Sequence, residues 1–320
     1  MPLRDHGFMI EVGQWSVFRR GEAGGNPCPV ITGAGPLTPG QMQAIAAHYG
    51  HETVFVTDVT DVTDVTAASV SLRFFVPRHE MRMCVHATIA AITELAGSGA
   101  ITGGHAVVGT ASGVHQVSWG DGEQPEVTVE QHPPQSGPPA AIRAEMAAAL
   151  GLPEGSIALT APIRPVSVSR AKLIVPLTDA DAVHRVTPDF PALWELCGRL
   201  ATTGAYVFAP HQDGDPQHVV ARQFPVDAGY PEDPATGVAA AALAAYLAGE
   251  LRPAQPAWTR VTIDQGDAMG QPSRLRAAAL AGPDGITRTS VTGRAIRTGQ
   301  SRLSLSTITG RRDLPAPELR

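Results

Sequence analysis

Three polar residues stand where this chain could do acid–base chemistry. Two stretches, CVHATIAAITELAGSG and EDPATGVAAAALAAYLAGEL, each run from a polar loop into an almost wholly apolar, Ala-rich helix. His86 and Thr88 lie at the start of the first; Asp233, Thr236 and Gly237 lie at the start of the second. A helix start carries unpartnered backbone N–H groups and the positive end of the peptide dipoles, so both starts suit a carboxylate or phosphate. Glu52, in HETVFV, follows one helix and begins a strand. A Glu, a His and an Asp around an anion pocket can remove and return protons once burial tunes them. That chemistry calls for no metal and no cofactor.

Each residue also has a plainer reading. His86 alone reads as a satisfied core histidine, and Glu52 as a polar residue at a strand end. Asp233 alone reads as a turn residue ahead of Pro234. Lys172 is the only lysine among 24 basic residues, so Schiff-base chemistry has one candidate; its setting, SRAKLIVPL, reads as the entry to a strand. The threefold VTD repeat at 56–64 reads as a lengthened hairpin loop. A calcium site on Asp58, Asp61 and Asp64 is the sharper alternative, but the segment lacks the Gly and terminal Glu of an EF-hand loop.

The elements that must position these groups fall into two parts. In the first, residues 8–20 read as a strand. Thr38 and Pro39 open a helix over 38–49 that buries Met42, Ile45 and Ala46 and stops at Gly50. Strands follow at HETVFV and SVSLRFFVP, then the buried helix, stopped by Gly97 and Gly99, then two or three strands over 105–131. PPQSGPP (133–139) reads as a linker. The second part has an amphipathic helix in AAIRAEMAAALGL, strands near 165–177 and 204–209, a buried helix stopped by Gly249, and strands near 258–265, 274–280 and 289–305. Each part thus sets strands around one buried helix, a duplication of architecture without an obvious sequence repeat.

Composition narrows the function classes. The chain has 320 residues, 43% of them apolar, and a net charge of −6. It can build a real core, and its mild acidity argues against a nucleic-acid partner. No apolar run approaches the ~20 residues of a membrane span, and the start does not read as a signal peptide. Three scattered cysteines (Cys28, Cys84 and Cys197) with no CxxC pair fit a reduced, cytoplasmic protein without a zinc site. The Arg, Ala and Pro bias fits a GC-rich genome.

At GGNPCPVI, HETVFV, LRFFVPRHEMRMCVHATIAA, EDPATGVAAAALAAYL and DQGDAMGQPSRL the sequence resembles the PhzF-like (phenazine-biosynthesis-like) isomerases, over roughly residues 10–305. The resemblance implies the diaminopimelate-epimerase-like fold. That is α+β, with two similar domains, each a mixed or antiparallel sheet wrapped around a central buried helix. The implied domains are 1–132, completed by a segment near 297–306, and 140–296, with a tail at 307–320. The implied activity is cofactor-independent isomerisation. It would shift a proton or double bond in a small unsaturated carboxylic acid of bacterial specialised metabolism, such as antibiotic assembly. A homodimer in the cytoplasm is implied, with no nucleic-acid or membrane partner.

By position, Glu52 matches the family's catalytic glutamate, His86 the histidine over the substrate and Asp233 the aspartate of the second loop. Gly237 matches a backbone that holds the substrate carboxylate, and Gln265 and Gly266 match a loop beside the cleft. Thr88 joins the substrate-binding set. Two positions depart from the family: Val85 stands for a glycine in CGHAT, and Val238 for the serine in DPATGSA. Both imply a more apolar pocket or an alkyl-bearing substrate, or else a lost activity. Racemases of this fold pair two cysteines, one per helix start. Cys84 fits the first place, but Pro234 occupies the second, so Cys84 reads as a small buried residue. A binding protein that keeps the fold is the other alternative.

Overall fold

The computed structural model describes residues 9–60, 68–251, 257–282 and 285–305. The first half runs β1 (Met9–Val17), β2 (Asn26–Ile31), α1 (Pro39–Tyr49), β3 (Thr53–Thr60), β4 (Ala68–Phe75), β5 (Glu80–Met81), α2 (Val85–Gly97), β6 (His105–Thr110), β7 (Gly113–Trp119) and β8 (Val127–Gln131). The second runs β9 (Gln135–Ser136), α3 (Arg143–Ala149), β10 (Arg164–Ser167), β11 (Ala171–Pro176), α4 (Ala180–Arg185), α5 (Phe190–Arg199), β12 (Gly204–Pro210), β13 (His218–Pro225), α6 (Gly237–Tyr246), β14 (Trp258–Gln265), β15 (Ser273–Gly282) and β16 (Gly285–Gly293). Then β17 (Ala295–Ser304) returns to pair antiparallel with β1, from Ala295 beside Val17 to Ser304 beside Met9.

The duplication is written in the strand pairing. From β1 through β2, β3, β4, β6, β7 to β8 the pairings run antiparallel, parallel, antiparallel, parallel, antiparallel, antiparallel. From β10 through β11, β12, β13, β14, β15 to β16 they repeat in the same order. The parallel steps need crossovers, and helices supply them. In the first half α1 spans the β2–β3 step and α2 the β4–β6 step; in the second α4 with α5, and then α6, span the matching steps. A β8–β16 pairing ties the halves together.

Local chemistry explains the elements. Thr38 and Gln41 form a reciprocal cap at the start of α1, and Gly50 ends it at φ 72°. The expected Met42, Ile45 and Ala46 are its buried face. Both central helices are apolar on all sides because sheet surrounds them: every residue of α6 is buried, and ten residues of α2. Their side chains join one core cluster that runs through both halves. A second cluster lies under α3, α4 and α5, and a third under α1.

The structure revises several sequence readings. PPQSGPP is no free linker, because Gln135 and Ser136 pair with β10. α4, α5 and β13 add elements the pattern reading lacks. The stretch 289–305 is two strands, broken at Arg294. The VTD segment continues β3 through Thr60 before 61–67 leave the described residues, so Asp58 lies on a strand while Asp61 and Asp64 lie outside. α6 ends at Tyr246, and Leu247–Leu251 form one wider turn instead of helix up to Gly249. The tail at 307–320 also lies outside the described residues. Among the described residues no helix is long and apolar enough to cross a membrane.

Candidate active site

The two helix starts meet. A β-carbon added at Gly237, the first residue of α6, would lie 2.5 Å from Cβ of Val85, the first residue of α2. Val85 therefore packs on bare backbone, and the contact demands glycine at 237. Neither Cys84 nor Thr236, the residues ahead of the two helices, caps its helix through a side chain. Apart from the Ala87 N–H, which bonds Cys84, the first-turn N–H groups of both helices are thus left for another acceptor.

Around this contact the motif residues converge. Glu52 lies just ahead of β3 and is 5% exposed; Tyr230, from the loop before α6, donates its hydroxyl to Glu52 Oε1. His86, the second residue of α2, is 2% exposed. Asp233 lies in the loop leading to α6 and is also buried. Asn26 at the start of β2 joins them. Its Nδ2 donates to Asp233 Oδ1 at 2.6 Å and to the Ala235 carbonyl at 2.9 Å, and it lies 3.4 Å from His86 Nδ1. Thr236 donates its hydroxyl to Asp233 Oδ2. One amide thus holds a base from each half.

The other expected site residues support this group. Thr88 donates its hydroxyl to the Cys84 carbonyl at 2.8 Å, so it braces its own helix start. Gln265 is used on both ends. Its Nε2 donates to the Asp233 carbonyl at 2.7 Å, and its Oε1 accepts from Tyr206 at 3.0 Å. That makes it a brace for the loop that carries Asp233. Gly266 sits at φ 88°, and a β-carbon there would come within 2.2 Å of the Gln271 carbonyl and 2.8 Å of the Pro234 carbonyl. It lets the turn after β14 press against the Asp233 loop. Val238, the second residue of α6, is buried.

Electrostatics divide the roles. Burial pulls His86 down to about 4, against a smaller upward pull from Asp233, so its imidazole is neutral at pH 7. Burial and then the charge of Glu52 push Asp233 up to about 7, while His86, Thr236 and Lys172 oppose them. Burial also raises Glu52, against the Tyr230 hydrogen bond and the charges of Arg170 and Lys172. Two carboxyls that each disfavour the other's charge hold a proton between them near neutral pH. Cys84 Sγ lies 3.3 Å from His86 Nδ1, and burial pushes its thiol well up, so it is no ready thiolate.

Asn26 lies within the GGNPCPVI motif and Tyr230 two residues ahead of EDPATG, yet their roles come from contacts between the halves. A separate cluster, His211, Asp213 and His218 on the β12–β13 connection, has ligand atoms within 4.8 Å of one another and could hold a metal ion. It shares no residue with the proton-transfer group.

Residues 15–300 match the phenazine biosynthesis-like protein family. The chain belongs to that family. An uncharacterized isomerase of Deinococcus radiodurans is 34% identical over 78% of this chain and 80% of its own. The crystal structure of the Bacillus anthracis PhzF-family phenazine biosynthesis protein superposes with a TM-score of 0.81 at 22% identity, covering 92% of this chain and 99% of the other. A probable proline racemase from Agrobacterium radiobacter K84 shares the fold at a TM-score of 0.65 and 12% identity, covering 92% of this chain and 93% of its own. The protein is an isomerase of the PhzF family with a two-part α+β fold.

Proposed function

We propose that this isomerase moves a double bond within a small unsaturated carboxylic acid, with Glu52 as the acid–base group. The observation that carries the reading is the convergence of Glu52, His86 and Asp233 on two uncapped helix starts in contact at Val85 and Gly237. The starts hold the substrate carboxylate. Ionised Glu52 takes a proton from a carbon next to the double bond. The C–H electron pair becomes the new C=C, and the old double bond accepts a proton at its far carbon, from Glu52 itself or from Asp233. Proton count and charge are unchanged over the cycle. Neutral His86 steadies the charge that spreads onto the carboxylate, as a hydrogen-bond donor.

Val85 and Val238 line the helix starts with apolar groups, which favours an alkyl-bearing acid. By analogy with its family we place the enzyme in bacterial specialised metabolism, such as antibiotic assembly, as a cytoplasmic homodimer. Light scattering of the purified protein checks the dimer.

The test of the chemistry is proton NMR in D₂O with a panel of conjugated carboxylic and pyrroline acids. Deuterium should enter a ligand carbon with wild type, and entry should slow about 10²- to 10⁴-fold with Glu52→Gln. Equal exchange with both proteins overturns the role of Glu52. Line-broadening without exchange in either protein supports a binding protein that keeps the fold.

A further inference from the structure

The second half holds buried polar side chains to which the proton-transfer scheme gives no role. Lys172 is 1% exposed and has no hydrogen bond or ion pair among the described residues. Gln223 is 0% exposed, and both its Oε1 and its Nε2 lack a partner. Buried polar groups are nearly always paired, so the two orphan atoms of Gln223 near a buried lysine ask for an explanation. Strand register puts them together. Ile174 on β11 pairs with Tyr206 on β12, Tyr206 with Gln223 on β13, and Gln223 bridges to Asp233. Two residues before that rung stand Lys172 on β11 and Gly204 on β12. Lys172 and Ile174 share a face of the strand. Ile174 and Tyr206 belong to the core around the central helices, so this face looks inward toward α6. A β-carbon on Gly204 would strike Gln223 Nε2 at 2.5 Å, so the amide lies over bare glycine.

The first half has a rung of the same connectivity: Val30, Val54, Phe74 and Met81. Two residues before it stand Cys28 on β2 and Glu52 just ahead of β3. Glycine thus takes in the second half the place that the acid–base glutamate takes in the first. The chain's single lysine and an unpaired amide flank that glycine. Lys172 acts on the charges of both Glu52 and Asp233, and they act on it. Burial pulls its ammonium down to about 7, and Arg170 adds to the pull, while Asp233 and Glu52 hold it up. An incoming anion would add to the groups that hold it charged.

We propose that Lys172 and Gln223, over Gly204, form a second anion subsite, and that the substrate is a dicarboxylic acid. One carboxylate lies at the helix starts and the other takes the Lys172 ammonium and a Gln223 N–H. This rests on the proton-transfer reading for the place of the first carboxylate. The Lys172 ammonium and the Gln223 Nε2 are then donors waiting for a ligand oxygen.

The test is isothermal titration of glutaconate against crotonate, two unsaturated acids that differ by the second carboxylate. The proteins are wild type, Lys172→Met and Gln223→Leu, with thermal melts to confirm that each folds. Wild type should prefer glutaconate by roughly ten- to a hundredfold, the range of one charge-assisted hydrogen bond. Lys172→Met should bring the ratio close to one, and Gln223→Leu should lower it in part. A wild-type ratio near one, no glutaconate binding, or an unchanged ratio in Lys172→Met overturns the subsite. If Lys172→Met does not fold, Gln223→Leu decides: an unchanged ratio there overturns the subsite too. Deuterium exchange is read separately. Preference for glutaconate without exchange leaves the subsite standing and removes the isomerase reading; exchange into both acids at equal affinity does the reverse.

Discussion

Tyr230 and Glu52 come from opposite halves of the molecule, and the tyrosine hydroxyl donates to the glutamate. A hydrogen bond to a carboxylate favours its ionised form. Tyr230→Phe therefore lets burial raise Glu52 further. The acid limb of the proton-exchange profile should move to higher pH, with the largest loss of rate on the acidic side. Exchange rates across pH 5 to 9 check this. An acid limb that stays in place rules out Glu52 as the titrating base.

The buried Asp233 makes a signed prediction for stability. Its folded value, about 7, lies above the roughly 3.9 of an unfolded aspartate. Between those values the folded state binds the extra proton, so this stabilisation is present at low pH and fades as pH rises through 7. His86 works in the opposite sense. Its folded value, about 4, lies below the usual one, so its contribution grows as pH rises from 4 to about 6.5. Denaturant melts of wild type and Asp233→Asn at pH 4.5 and pH 7.5 separate them. The variant should gain on wild type as pH rises.

The contact between Val85 and Gly237 predicts a paired effect. Gly237→Ala forces a methyl group to within 2.5 Å of Val85 Cβ, with a loss of about 1–3 kcal/mol. In a Val85→Gly background the same change should lose much less, because the opposing carbon is gone. A double-mutant cycle on melting free energies measures the coupling. Strictly additive losses would show that the helix starts do not touch.

Cys84→Ala separates proton transfer on carboxyls from a thiol mechanism. A two-thiol mechanism needs a cysteine at each helix start, but the loop before α6 offers Pro234 and Thr236 and no thiol. Exchange by the variant should stay within about tenfold of wild type, less than the loss expected when a general base is removed. A thousandfold fall would put the thiol on the proton path.

Much of this was legible in the chain. The two Ala-rich helices announce their burial, and the polar loops ahead of them hold His86 and Asp233. The α1 cap reads directly from Thr38, Pro39 and Gly50. α4 and α5 were legible too, since Asp179 and Asp189 cap them through their side chains and Pro191 follows in the first turn. Their apolar faces are short, so hydrophobic periodicity alone does not reveal them. Asn26 could not be assigned in advance. Its partners Asp233 and Ala235 lie more than two hundred residues away, and only the pairing of the halves brings them within reach. The orphaned amide of Gln223 is equally a property of register, since a glutamine within a strand gives no sign of lacking a partner.

The antiparallel pairing of β17 with β1 has a consequence for how the protein comes to exist. During synthesis the edge at Met9–Val17 must wait for residues 295–304 before it is covered on that side. Until then the nascent first half carries an open β-edge, a template for pairing with a neighbouring chain. The last ribbon of the fold works as a clasp, and a ribosome stalled before codon 295 should leave a product prone to aggregate.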